Sequence, residues 1–303
     1  MILSEDSAGI ITMSDKPLAI PAWVLTIMAM FSVQLGSALS LPMVDEVGPA
    51  GTAWLRLTAG AIIFLLIAKP KLSLIQKHDV LPLLALGIAT GIVTVSFLGA
   101  ISRIPLGTCI SIEFLGPLTV ATVRSRNSKA MLWPLLAFAG VILMTKPWEG
   151  NLDFVGVGLA LVSAVGWGTY IVLTDLIGSR FEGLTGLSLT MPISALTAAV
   201  VGFTSTIGHI TPKLLLTALG LALLLPVLPY AFEMISLRHM SQSAFGTFMS
   251  LEPAFGVLIG AVVLGQTAGA GQLVGVALVV AAGIATQRID HRMSAISHLE
   301  ASE

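Results

Sequence analysis

Charge is what this sequence has least of. Of its 303 residues only 10% are Asp, Glu, Lys or Arg, while 55% are hydrophobic and the mean hydropathy is +0.96. That is too little charge to cover a water-exposed surface, which excludes a soluble domain. A single cysteine, Cys109, excludes an intramolecular disulfide and a cysteine-based metal cluster. The net charge of −1 offers no basic field for nucleic acid. His78, His209, His239, His291 and His298 lie between or beyond the apolar runs without ligand spacing, so no metal site is expected. H-E-x-x-H, G-x-S-x-G and G-x-x-x-x-G-K-[ST] are all missing. No enzyme, no cofactor and no ATP-driven engine is therefore expected in this chain. Residues 1–16 carry Glu5, Asp6 and Asp15 against one lysine and no basic n-region, which reads as a cytoplasmic tail rather than a signal peptide.

Apolar runs dominate what is there. Ten can be marked, at 21–41, 50–68, 80–101, 106–123, 130–146, 154–174, 184–207, 214–236, 243–264 and 269–287, the fifth being the shortest. The expected fold is an all-α polytopic membrane protein of ten transmembrane helices joined by short connections. With the N-terminus inside, Lys16, Lys69, Lys71, Lys77, Arg124, Arg126, Lys129, Arg180, Arg238, Arg288 and Arg292 fall on the cytoplasmic side, and only Arg103, Lys146 and Lys213 fall outside. Both termini are thus expected in the cytoplasm, and the lipid bilayer is the first partner. Five helices per half invert the second half relative to the first, an arrangement recurrent in secondary transporters. The expected parts are a tail at 1–16, repeats at 17–150 and 151–289, and a second cytoplasmic tail at 290–303.

One motif occurs once in each half. Gly107-Thr108-Cys109-Ile110-Ser111-Ile112-Glu113 and Gly246-Thr247-Phe248-Met249-Ser250-Leu251-Glu252 share G-T-x-x-S-(Ile/Leu)-E at a displacement of 139 residues. At about 100° per residue, Gly107 and Ser111 share one helix face, suited to close packing, and Glu113 points the other way. An ionisable residue at membrane depth is by default a site candidate. Glu113 and Glu252 are therefore the first candidates for coupling protons to a substrate, with Glu233 in the eighth helix third. A proline frees the carbonyl four residues before it and bends its helix; Pro117, Pro229 and Pro253 beside the three glutamates are candidate gating kinks. Arg56 is the one cation well inside an apolar run, placed to hold a substrate carboxylate or to balance Glu113. Gln34, Trp167 and Tyr170, with the motif serines Ser111 and Ser250, complete the substrate-binding candidates. Gln34 is suited to orienting an amino or hydroxyl group, and Trp167 with Tyr170 to forming a cavity wall.

The stretches Pro105-Leu106-Gly107, Glu113-Phe114, Gly116-Pro117-Leu118, Leu228-Pro229-Tyr230, Glu233-Met234-Ile235 and Phe245 to Ala254, with Leu55-Arg56-Leu57, carry a resemblance over nearly the whole chain. The chain resembles the EamA family of the drug/metabolite transporter superfamily, and within it the branch that exports threonine and homoserine. The resemblance implies a ten-helix carrier of the bacterial inner membrane that exports small neutral amino acids in exchange for protons. It also carries one departure: Leu264-Gly265 is followed by Gln266, where the family commonly has glutamate. The alternatives are an exchanger or facilitator of another metabolite without proton coupling and, of a different class, a non-transporting membrane receptor. Long loops or an appended domain would favour the receptor, and several cavity cations would favour a larger anionic metabolite. Nothing in the sequence demands a partner subunit, and a monomer suffices.

Overall fold

The computed structural model describes residues 20–300 except 72, 74, 126–131, 147, 149–151, 179, 182–183 and 241, with the backbone alone at 125, 242–243 and beyond 286. The expected tail at 1–16 lies outside the described residues, as do Arg126 and Lys129. Within them the chain is all helix, in ten apolar segments. These are α1 (Ala22–Leu39), α2 (Leu41–Ala68), α3 (Lys77–Ile101), α4a (Leu106–Glu113) with α4b (Leu115–Ser125), α5 (Leu132–Thr145), α6 (Phe154–Gly178), α7 (Thr185–Thr206), α8a (Pro212–Ala222) with α8b (Leu228–His239), α9a (Gln242–Met249) with α9b (Glu252–Leu264), and α10 (Ala270–Glu300). Eight segments are long and apolar enough to cross a bilayer, and α5 and the apolar part of α10 are shorter. The protein is therefore an all-α polytopic membrane protein.

Two boundaries differ from expectation. The second segment starts at Leu41 rather than near 50, because a short helix precedes a break at Gly48 (φ 76°, ψ 167°) and Pro49. Gly48 takes a positive φ that a side chain would resist, and Pro49 then starts the main span with its missing N–H in the first turn. At the other end, residues expected as a cytoplasmic tail from 290 continue α10 to Glu300.

The kinks fall beside the prolines, but not always at the proline singled out. Pro117 lies in the first turn of α4b, and Pro229 and Pro253 lie in those of α8b and α9b. In a first turn the missing N–H has no intrahelical partner to lose. In the eighth segment the helix is ruptured earlier, over Leu223–Val227 around Pro226, where Leu225 is extended (φ −156°, ψ 109°). The Leu224 carbonyl exposed there accepts from Ser32 Oγ of α1 at 2.7 Å. Backbone freed at membrane depth is tolerated when a neighbouring side chain receives it in this way.

The principal pairings are α2 with α7, α3 with α6, α5 with α10, α3 with α7, α1 with α8b, and α4a with α9b. Lipid tails are as apolar as the side chains, so packing rather than hydrophobicity holds such helices together, and small residues let the backbones approach. On α5 and α10, a Cβ at Gly140 would lie 2.6 Å from the Gly275 carbonyl oxygen. Gly140→Val therefore forces the pair apart, with an expected cost of about 1–3 kcal/mol. A lowered thermal midpoint of the detergent-purified variant checks it; an unchanged midpoint counts against the seam. At the segment ends, Arg103–Asp153 (3.3 Å), Arg124–Asp175 (3.1 Å) and Arg180–Asp79 (2.6 Å) join neighbouring helices. The Gly156 backbone N–H, followed by Arg103, holds the Asp153 carboxyl below the usual carboxylate range.

Candidate functional site

Where α4 and α9 bend, their side chains open on a cavity of about 470 Å³ at the centre of the bundle, a size suited to a small molecule. Glu113 ends α4a, Glu252 begins α9b, and Glu233 comes from α8b; all three line the cavity. Arg56, Gln34, Trp167, Tyr170, Ser250, Pro117 and Pro229 line it too. Ser111 and Pro253 are buried but are not part of the wall. Ser111 donates to the Gly107 carbonyl at 2.7 Å, on the face of α4a turned away from Glu113.

The geometry separates the charged groups. The Arg56 guanidinium, 3% exposed, donates to Ser40 Oγ at 3.2 Å and has no carboxylate within ion-pair distance among the described residues. The expected option of an Arg56–Glu113 pair is therefore not taken. Glu113 instead accepts a hydrogen bond from Ser163 of α6. Glu252 and Glu233 have neither a hydrogen-bonding side chain nor a cation on them among the described residues. When ionised, Glu252 is repelled by both Glu113 and Glu233. Buried charges left unpaired are costly, and the cavity wall presents one cation and an excess of carboxyl groups among the described residues, a pattern that a zwitterionic ligand would complement.

The wall between these groups is aromatic. Phe114 meets Trp167 edge-on, with ring centroids 6.3 Å apart and planes at 67°. The Tyr170 hydroxyl hydrogen-bonds the Tyr230 hydroxyl, joining α6 to α8b. Tyr230 and Ser163 are side chains at the candidate site that sequence reasoning missed, together with the wall residues Thr90, Thr94 and Phe97. Tyr230 follows Pro229 directly and lies in a stretch that carries the family resemblance, but neither marks it as a cavity residue. A hydroxyl in an apolar helix carries no mark in sequence that separates a cavity residue from one bonded to its own backbone.

The two ends of the cavity are packed differently. α4a and α9b pack directly: a Cβ on Gly107 would meet the Val257 backbone at 3.0 Å, and Gly256 lies against the Gly107 Cα. Gln266, after α9b, accepts from the Leu106 backbone N–H at 3.0 Å, and Gln272 donates to Thr108 Oγ1 at 3.3 Å. A free donor at the N-terminus of α4a is thereby satisfied across the seam. At the opposite end α4b and α9a each pack on α10 rather than on one another.

Among known proteins, residues 154–286 match the EamA-like transporter family. The threonine/homoserine exporter RhtA of Escherichia coli K12 is 31% identical over 287 residues, covering 92% of this chain and 97% of that protein. RhtA of Salmonella typhimurium LT2 is 32% identical, with 88% and 91% covered. A crystal structure of a protein 18% identical superposes with a TM-score of 0.57 over 89% of this chain and 98% of its own, a likeness of fold alone. The two RhtA matches run nearly end to end, through the helices that build the cavity, and the chain belongs to the EamA-like transporter family.

Proposed function

We propose that this protein is a secondary exporter of small neutral amino acids of the threonine and homoserine kind, working in the inner (cytoplasmic) membrane in exchange for protons. The observation that carries the reading is the buried Arg56 guanidinium, which faces a central cavity without a carboxylate of its own. A zwitterion supplies that carboxylate, and its ammonium group finds an excess of carboxyl groups elsewhere on the wall. Glu113, Glu252 and Glu233 then take up protons in one state and release them in the other, with Trp167 and Tyr170 shaping the cavity. The name of the RhtA relatives agrees with this substrate class.

The transport cycle we infer is alternating access by two inverted five-helix repeats, 17–150 and 151–289, with both termini cytoplasmic. The helix pairings support the repeat. α2 with α7, α4 with α9 and α5 with α10 each join counterparts, while α3 with α6 is mirrored by α8b with α1, and α4a with α6 by α9b with α1. With the basic residues on the cytoplasmic side, the packed α4a–α9b end faces outward in this reading, and the state is one that opens toward the cytoplasm, where an exporter loads.

Labelled threonine and homoserine are expected to accumulate in inside-out vesicles under an imposed proton gradient, and a protonophore is expected to abolish the accumulation. Uptake of neither amino acid sinks the reading, and gradient-independent counterflow replaces proton exchange by facilitated exchange. Glu113→Gln and Glu252→Gln keep the shape of the side chain and remove its titration. Each is expected to lose gradient-driven uptake while remaining in the membrane, and full activity in both would sink their role in coupling.

A further inference from the structure

The cavity wall is lopsided in its hydrogen-bonding groups. Ser37, Thr90, Thr94, Ser250 and Thr286 all line it, and each sends its only proton to a carbonyl of its own helix, at 2.8, 2.8, 2.9, 2.9 and 2.9 Å. A hydroxyl whose proton is committed is left as an acceptor. The three glutamates add acceptors whenever they are ionised. Against these stand few donors: the Arg56 guanidinium, the Gln34 amide nitrogen, the Trp167 indole N–H, and one phenolic proton left over by the Tyr170–Tyr230 bond. Gln34 stands out among the acceptors. It is 2% exposed, it lines the cavity, and its Oε1 has no hydrogen-bond partner. A buried carbonyl oxygen without a partner is disfavoured, so its place in this wall calls for a donor from a ligand.

We infer that the cavity selects ligands bearing one carboxylate together with a separate N–H or O–H donor, and that Gln34 is the residue that reads that donor through Oε1. The inference rests on the exporter reading and narrows it. A dicarboxylate places its second negative group against acceptors, and a 2-oxo acid brings no donor at all. An ammonium and a side-chain hydroxyl both supply the required hydrogen.

The test uses the full chain in proteoliposomes, following counterflow of labelled threonine against unlabelled alanine, homoserine, 2-oxobutyrate and succinate. The same five compounds are also followed by thermal stabilisation of the detergent-purified protein, which requires no transport. Alanine and homoserine are expected to compete, and 2-oxobutyrate and succinate to be at least about tenfold weaker. Gln34→Met keeps the length of the side chain and removes the acceptor; its half-saturation for threonine is expected to rise about tenfold. A loss shared by alanine and threonine assigns the ammonium to Gln34, and a loss confined to threonine and homoserine assigns the hydroxyl. Competition by succinate or 2-oxobutyrate equal to that by threonine overturns the inference, as does an unchanged half-saturation in Gln34→Met. If no amino acid exchanges, the exporter reading falls, and thermal stabilisation alone decides the donor rule. Equal stabilisation by succinate and alanine, or none by any compound, then overturns it as well.

Discussion

Arg56→Leu is expected to eliminate amino-acid binding while leaving the empty protein at least as stable as the parent. The two effects separate because the guanidinium is buried with a single hydroxyl partner, Ser40, and no counter-charge among the described residues. Replacing an uncompensated buried charge by an apolar side chain removes a desolvation penalty, which offsets the packing lost to the shorter leucine, so the fold has little to lose. The ligand carboxylate, by contrast, loses the only cation that lines the cavity among the described residues. Removing one partner of a buried charge pair costs about 2–5 kcal/mol, or roughly 30-fold and upward in apparent affinity. Arg56→Lys is expected to fall between the two, because lysine keeps the charge and loses the planar fork. The measurements are the thermal midpoint without ligand and the half-saturation for threonine. A midpoint that drops while affinity stays would make Arg56 a structural residue and remove the main support for a carboxylate-bearing substrate.

Locking either end of the cavity with a disulfide is expected to stop transport completely and reversibly. In the sealed end, a Cβ on Gly260 would stand 3.6 Å from the Leu106 Cβ, a disulfide-compatible spacing. The displacement of 139 residues that relates the two G-T-x-x-S-x-E copies maps Leu106 onto Phe245 and Gly260 onto Ala121. It likewise maps Gly107 onto Gly246, and Val257 onto Leu118. Phe245, Ala121, Gly246 and Leu118 all line the open cavity. Under the proposed inverted repeat, the opposite state forms when α4b closes on α9a through these four residues. With Cys109 replaced by serine, Leu106→Cys/Gly260→Cys is expected to cross-link in the resting protein, and Ala121→Cys/Phe245→Cys only during turnover. Reduction is expected to restore uptake in both. An Ala121–Phe245 pair that never cross-links in a protein still transporting threonine would refute closure at this seam.

How much of this was legible beforehand depends on how local each property is. The ten spans were, since hydropathy is a sum over consecutive residues and the bilayer imposes the length. The intramembrane Arg56, Glu113, Glu233 and Glu252 were too, since a charge in an apolar run needs no structure to be noticed. The rupture at Leu223–Val227 was only half legible. Pro226 and Pro229 both announce a break, but not where the helix yields, which is over Leu223–Val227, where the Leu224 carbonyl is received by Ser32.

Pairing was not legible. That Glu113 meets Ser163 rather than Arg56, that the Gln34 carbonyl oxygen is left unpartnered, and that Ser111 turns from the cavity all depend on which helix lies against which. The sequence by itself determined a ten-span carrier with a repeated carboxylate motif and a lone internal cation, because composition and spacing are properties of the chain. Only the tertiary structure decided which end is shut. The motif reads the same in both halves and suits either seam equally well, so the choice rests on side-chain packing: Gly107 and Gly256 in contact under the Gln266 latch, and α4b and α9a apart on α10.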